Sequence, residues 1–190
     1  MEDAVLAVTQ AIAPRLVYRV VSLQDGKSDA FTLQGEDIAR TLKGCKEAVF
    51  FAATLGSRAE QLLMKAEVQN LADAVIMDAI ESVAIENVCN NFEQDYRAFL
   101  GISGLYLTSR YSPGYGDLPL EVQGQWCAAL NAEKRIGLSV TDNHLMIPRK
   151  SVTAVMGIAD TPRQLRENGC AECKMFRNCE YRKDGRDCRE

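Results

Sequence analysis

The sequence predicts an α+β fold in which a mainly antiparallel, twisted sheet is flanked by helices. Three observations carry that prediction. Strand-like and helix-like stretches do not alternate as β-α-β units, which a doubly wound parallel sheet would require. Residues 47–56 form a continuous apolar run closing on a glycine, which suits a central strand better than an edge strand. Residues 16–21 and 31–33 flank an Asp25-Gly26-Lys27-Ser28 turn, the pattern of a hairpin. The 190 residues are enough for one domain with a sizeable core. We expect that domain to span residues 1–160 and a cysteine-rich tail to occupy residues 161–190.

In order along the chain, residues 3–13 read as a short amphipathic helix with Val5, Leu6, Val8 and Ile12 apolar, stopped before Pro14. Residues 16–21 are rich in β-branched and aromatic side chains and read as a strand. Residues 36–42 predict a helix closing at Gly44, followed by the buried strand. Ser57, with Glu60 three residues on, has capping-box spacing and opens a helix to about Asn70. A longer helix follows over residues 71–92, its apolar stripe formed by Ala72, Val75, Ile76, Ala79, Val83 and Ile85. On it Glu81 and Glu86, five residues apart, cannot share one line of side chains, whereas Asp78 and Glu81 can. A solvated helix face accounts for most of these acids.

Residues 105–109 read as a strand and residues 120–130 as a helix bearing Leu120, Val122, Gln123, Trp126, Cys127 and Leu130, ending before Lys134. Residues 138–141 are a short strand and Asp142-Asn143 a turn. His144, the lone histidine, is expected to be exposed beside that turn rather than a base or metal ligand. Two more strands, at residues 145–147 and 151–158, are separated by Pro148-Arg149-Lys150.

A formal net charge of −4 argues against nucleic acid as the main partner, because phosphate binding needs clustered basic charge. No apolar run approaches a membrane span, and Met1-Glu2-Asp3 lacks the basic start of a signal peptide, so a cytoplasmic location is expected. Of seven cysteines, Cys45, Cys89 and Cys127 are scattered, which is no disulfide framework.

The most informative stretch is Arg110-Tyr111-Ser112-Pro113-Gly114-Tyr115-Gly116-Asp117-Leu118-Pro119. Pro113 presets φ for the first corner of a tight turn, and Gly114 can take the positive φ of the second. Glycines on both sides of Tyr115 would let the backbone approach a ligand and offer it N–H and C=O groups. Asp117 can cap the helix that follows, where Pro119 costs no intrahelical bond. Arg110 is a forked cation suited to gripping a carboxylate in two bonds. Together these residues suggest a small-molecule cradle; a plain strand–turn–helix corner with a solvated arginine is the competing interpretation.

The pattern Arg110-x-x-x-Gly114-Tyr115 leaving a strand resembles the S-adenosylmethionine-binding signature of the activation (reactivation) domain of cobalamin-dependent methionine synthase. Downstream, Ile136-Gly137-Leu138-Ser139-Val140-Thr141, Met146-Ile147-Pro148 and Ser151-Val152-Thr153 follow the family's order and spacing. Upstream, the stretch Asp78-Ala79-Ile80-Glu81-Ser82-Val83-Ala84-Ile85-Glu86 resembles the alanine- and glutamate-rich helix before the signature. The likeness covers residues 71–158. It implies a sheet flanked by helices that binds S-adenosylmethionine. Arg110 would then hold the carboxylate, Pro113, Gly114 and Tyr115 would form the turn around the ligand, and Glu86 would lie near its ammonium.

The resemblance further implies reductive reactivation. Cob(II)alamin on a methionine synthase or another corrinoid protein receives one electron and the sulfonium methyl group, giving methylcobalamin and S-adenosylhomocysteine. A flavodoxin or ferredoxin-type electron donor is implied as well. No cobalamin-binding Asp-x-His-x-x-Gly signature occurs, which argues that the corrin arrives on the partner. Whether the chain is itself an enzyme stays open. The alternative is a non-catalytic module that docks a corrinoid protein. An ordinary small-molecule methyltransferase is weakened by the lack of a glycine-rich nucleotide loop after an early strand.

In the tail, Cys170-x-x-Cys173, Cys179 and Cys188 suit a four-thiolate zinc site or an iron–sulfur cluster, and spacing does not choose between them. So polar a segment buries too little apolar area to fold unaided, and a metal would supply the difference. A disordered tail or a redox-active dithiol at Cys170 and Cys173 are the other interpretations. The tail departs from the activation domain of the large synthase, whose C-terminal segment helps close the ligand site.

Overall fold

A computed structural model describes residues 2–163. In chain order the elements are α1 (Glu2–Ala11), β1 (Arg15–Ser22), α2 (Glu36–Leu42), β2 (Glu47–Thr54), α3 (Ser57–Gln69) and α4 (Leu71–Gly101). They continue with β3 (Tyr106–Leu107), α5 (Val122–Ala129), α6 (Ala132–Ile136), β4 (Ser139–Val140), β5 (Met146–Ile147) and β6 (Ser151–Ala159). The fold class is the expected one: a four-stranded sheet of order β1-β2-β6-β3, antiparallel throughout, between two layers of helices, with β4 and β5 paired as a separate ribbon.

The apolar run of β2 takes the centre of the sheet because each of its faces has a core to fill. Ala48, Phe50 and Ala52 join Ile38, Leu42, Val122, Trp126 and Ile136 of α2, α5 and α6 on one side. Val49, Phe51 and Ala53 join Ala59, Ile85, Cys89 and Leu100 of α3 and α4 on the other. Side chains alternate faces along a strand, so an uninterrupted apolar sequence is what two cores demand of one strand. Its partner β6 does the same, pairing Phe50 with Val155 and Phe51 with Ala154. No described helix is long and apolar enough to cross a membrane.

Several expectations need correction. Residues 31–33 form no strand. Phe31 instead leaves the surface to stack on Phe50 at 3.8 Å between ring centroids, with Trp126 edge-on to both. Trp126 Nε1 donates to the Thr32 carbonyl at 3.1 Å, so core packing rather than a ladder holds this segment. The turn before it is closed by a single Gln24–Lys27 bridge. The capping box is absent, since α3 begins after Gly56 without a side-chain cap. Glu60 accepts instead from the backbone N–H and Nε of Arg149, at 2.6 and 2.7 Å.

The long helix continues past Phe92 to Gly101, and the stripe assigned to it from sequence faces mainly outward. Ala72, Val75, Ile76, Ala79 and Val83 are exposed, while Ile85 alone of the six is buried. The line turned to the core is Ala74, Glu81, Ile85, Cys89 and Leu100. Here α4 is apolar on two sides, and Ile85, Cys89 and Leu100 are the residues it gives to the core against the sheet. The helix read through residue 130 is broken at Asn131, whose φ of 55° starts α6, so Lys134 and Arg135 are helical. His144 is half-buried, and its carbonyl accepts from Gln123 Nε2 at 3.0 Å.

Candidate functional site

The site forms where the chain leaves β3 and runs beside β6. Tyr111 exchanges backbone hydrogen bonds with Val155, both 2.9 Å, which fixes Arg110 just outside the sheet and over α4. The next residues make the expected turn. Gly114 has φ 86°, and the Tyr115 N–H donates to the Ser112 carbonyl at 3.2 Å, a Pro-Gly type II arrangement.

The backbone offered to a ligand is smaller than the sequence suggests. Gly114 N–H donates to Leu118 O at 2.9 Å, Leu118 N–H to Tyr115 O at 3.0 Å, and Tyr111 Oη to Tyr115 O at 3.2 Å. A turn this short satisfies its polar groups within itself. The Tyr115 side chain is the part that projects, 70% exposed. Asp117 does not cap the helix after it. Its carboxylate accepts from the N–H groups of Glu36 and Asp37, at 2.5 and 3.2 Å, and so caps α2 from across the molecule.

Arg110 meets three residues of α4. Its Nη2 donates to Asn90 Oδ1 at 2.7 Å and to Glu86 Oε2 at 3.2 Å, and its Nε lies 3.0 Å from Glu93 Oε2. Glu93 is shared with Arg97 at 2.7 Å, and Arg97 also donates to the carbonyls of Leu107 and Thr108. Arg110 and Glu93 are mostly buried, whereas Glu86 is 58% exposed and stands at the mouth of the cluster. Beneath them, burial pushes the Cys89 thiol up to about 11 although Arg110 pulls it the other way. The sequence therefore brings Arg110 and Glu86 together with Pro113, Gly114 and Tyr115 one turn away. Asn90 and Glu93 escaped notice; the spacing Glu86, Asn90, Glu93 along one helical line was the signal available.

No protein-family model matches the chain, and no curated protein matches it in sequence. Among solved structures it is similar to the MetH reactivation domain bound to AdoHcy, with a TM-score of 0.59 over 98% of this chain and 72% of that one. The chain has the reactivation-domain fold. At 14% identity the likeness is one of architecture, and it reaches the α+β arrangement around β2 and β6 together with the helices on both faces.

Of the three acids Asp78, Glu81 and Glu86 on α4, Asp78 and Glu86 are exposed as expected of most of them, and Glu81 is the exception. Far from lying on a solvated face, it is fully buried, and neither carboxylate oxygen has a hydrogen-bond partner among the described residues. Desolvation is the main reason its carboxyl is pushed up to about 7, opposed by Lys150 and reinforced by Asp78 and Glu60. Cys170, Cys173, Cys179 and Cys188 lie outside the described residues. Among the described residues no group of three or more His, Cys, Asp and Glu side chains is placed to hold a metal ion.

Proposed function

We propose that this protein binds S-adenosylmethionine and presents its methyl group to a corrinoid held by a partner protein, in reductive reactivation of a cobalamin-dependent methionine synthase or a related methyltransferase. The observation that carries the proposal is the shared fold with a reactivation domain bound to AdoHcy, the demethylated form of that ligand. The donor set fits the ligand's methionine moiety. Arg110 is a planar fork for the carboxylate, Glu86 is an exposed acid beside it for the ammonium, and Tyr115 offers an aromatic face next to the Pro113-Gly114 turn.

In this proposal the protein's task is positional. The corrin supplies the nucleophile and the ligand the methyl group, so the chain needs only to orient the sulfonium toward the cobalt and replace part of the entropic barrier to their encounter. Glu86 would turn from Arg110 to the incoming ammonium, while Glu93 keeps the guanidinium in place. A flavodoxin or ferredoxin-type donor would supply the electron, in the cytoplasm. The tail cysteines would hold zinc or an iron–sulfur cluster, which metal analysis of anaerobically prepared protein decides.

One observation favours a second reading, a non-catalytic module that docks a corrinoid protein: the partners of Arg110 already come from its own chain. Calorimetry separates the two. Micromolar binding of S-adenosylmethionine that weakens at least tenfold in Arg110→Ala supports the first, and no heat with or without a corrinoid partner leaves the second.

A further inference from the structure

The N-terminal half of α4 is fastened to the start of β6 by one ammonium group. Lys150 Nζ lies 2.7 Å from Asp78 Oδ1, 2.8 Å from Ser82 Oγ and 3.1 Å from the Asp78 carbonyl. An ammonium has three protons to donate, so these contacts use it fully. Glu81 sits between Asp78 and Ser82 in sequence, yet its carboxyl is turned inward and neither oxygen is hydrogen-bonded to any described residue. An ionised carboxylate in that position would be a buried charge without a direct partner, which a protein avoids by keeping the group protonated.

The other charged groups around it are already committed. Arg149 is held by Glu60 at 2.7 Å and by Glu67 at 3.0 Å, both from α3. That leaves Glu60, itself occupied, and Asp78 as acids facing Glu81, and Lys150 as the cation that can be redirected. Redirecting it asks little of the fold. The Lys150 side chain is 15% exposed, whereas Asp78 is 53% exposed and meets water once released.

We propose that Glu81 and Lys150 form a proton-operated latch between α4 and β6: with Glu81 neutral, Lys150 fastens Asp78 and Ser82, and when Glu81 gives its proton to solvent the ammonium turns inward to the new carboxylate. The same helix carries Glu86, Asn90 and Glu93, so the latch sets how firmly the N-terminal half of α4 is tied to the sheet that holds Arg110. Because burial opposes ionisation, the transition falls near pH 7 instead of in the ordinary carboxylate range.

Carboxyl-carbon and lysine side-chain NMR of the intact protein between pH 4 and pH 9 tests this. One glutamate carboxyl is expected to titrate near neutrality, with the Lys150 ammonium resonance shifting at the same midpoint. Lys150→Met should move that midpoint up by a pH unit or more, since the compensating cation is gone, and Asp78→Asn should move it down. The latch is overturned if the Glu81 carboxyl titrates between pH 4 and 5, or if the Lys150 resonance is indifferent to its ionisation. Both readouts come from the wild-type chain, so a variant that fails to fold leaves the test intact.

Discussion

Glu81 is buried on the inner line of α4, between Ala74 and Ile85, where an apolar residue would carry no desolvation penalty. Its effect on stability has a definite sign. Burial pushes the folded-state carboxyl up to about 7 from its usual 4.5. Between those values the unfolded chain releases a proton that the folded chain keeps, so stability falls as pH rises through this window and is level above it. Glu81→Gln removes the linkage. In urea unfolding the variant should therefore gain on wild type between pH 4.5 and pH 8, by roughly 3 kcal/mol if the whole shift is expressed. A constant difference across that range would show that the carboxyl is hydrated in solution. Arg110 illustrates the opposite case: its largely covered guanidinium is paired with Glu86, Asn90 and Glu93, and truncating it leaves Glu93 to Arg97 alone.

Elements differ in how far they are written locally. The continuous apolar run of β2 was legible because two cores impose one composition on every residue, and the Pro113-Gly114 turn because its backbone angles suit those two residues. That Arg110 and Glu86 lie side by side was legible only through a resemblance, since they stand far apart in sequence. The orientation of α4 was not, since a helix apolar on both sides gives periodicity no single face to find. Nor was the start of α2, whose N-terminus follows Gly35 with no cap of its own and is closed by Asp117 from the signature loop. Nothing local to either stretch encodes that pairing, and it ties the loop to the helix layer beneath the sheet. Asp117→Ala should cost about 1 kcal/mol, the usual loss for an N-cap, whereas Asp117→Asn should lose less, because its one amide oxygen still accepts where the carboxylate used two. Urea midpoints of the two variants give the comparison. Equal losses would mean that the carboxylate's charge, not its hydrogen bonds, holds α2 in place.

At the scale of the whole molecule, β2 and β6 are the common wall of two cores that do not otherwise share residues. Trp126 reports on one of them, packed against Phe31 and Phe50, and it is the single tryptophan of the chain. Helical circular dichroism reports mostly on the other, because α3 and α4 are the longest helices described. If the wall couples the two sides, losing either core leaves half of the apolar side chains of β2 and β6 in water, and neither layer survives alone. Tryptophan fluorescence and far-ultraviolet ellipticity should then trace the same urea transition with one midpoint. The contact between α3 and α4 buries Leu63, Ala66 and Ala74, and the outer faces of both helices carry exposed Met64, Val68, Val75 and Val83. The competing case is that this hairpin departs first. An ellipticity midpoint at lower urea than the fluorescence midpoint would show that it does, and that the sheet with α2, α5 and α6 stands as a folding unit without it.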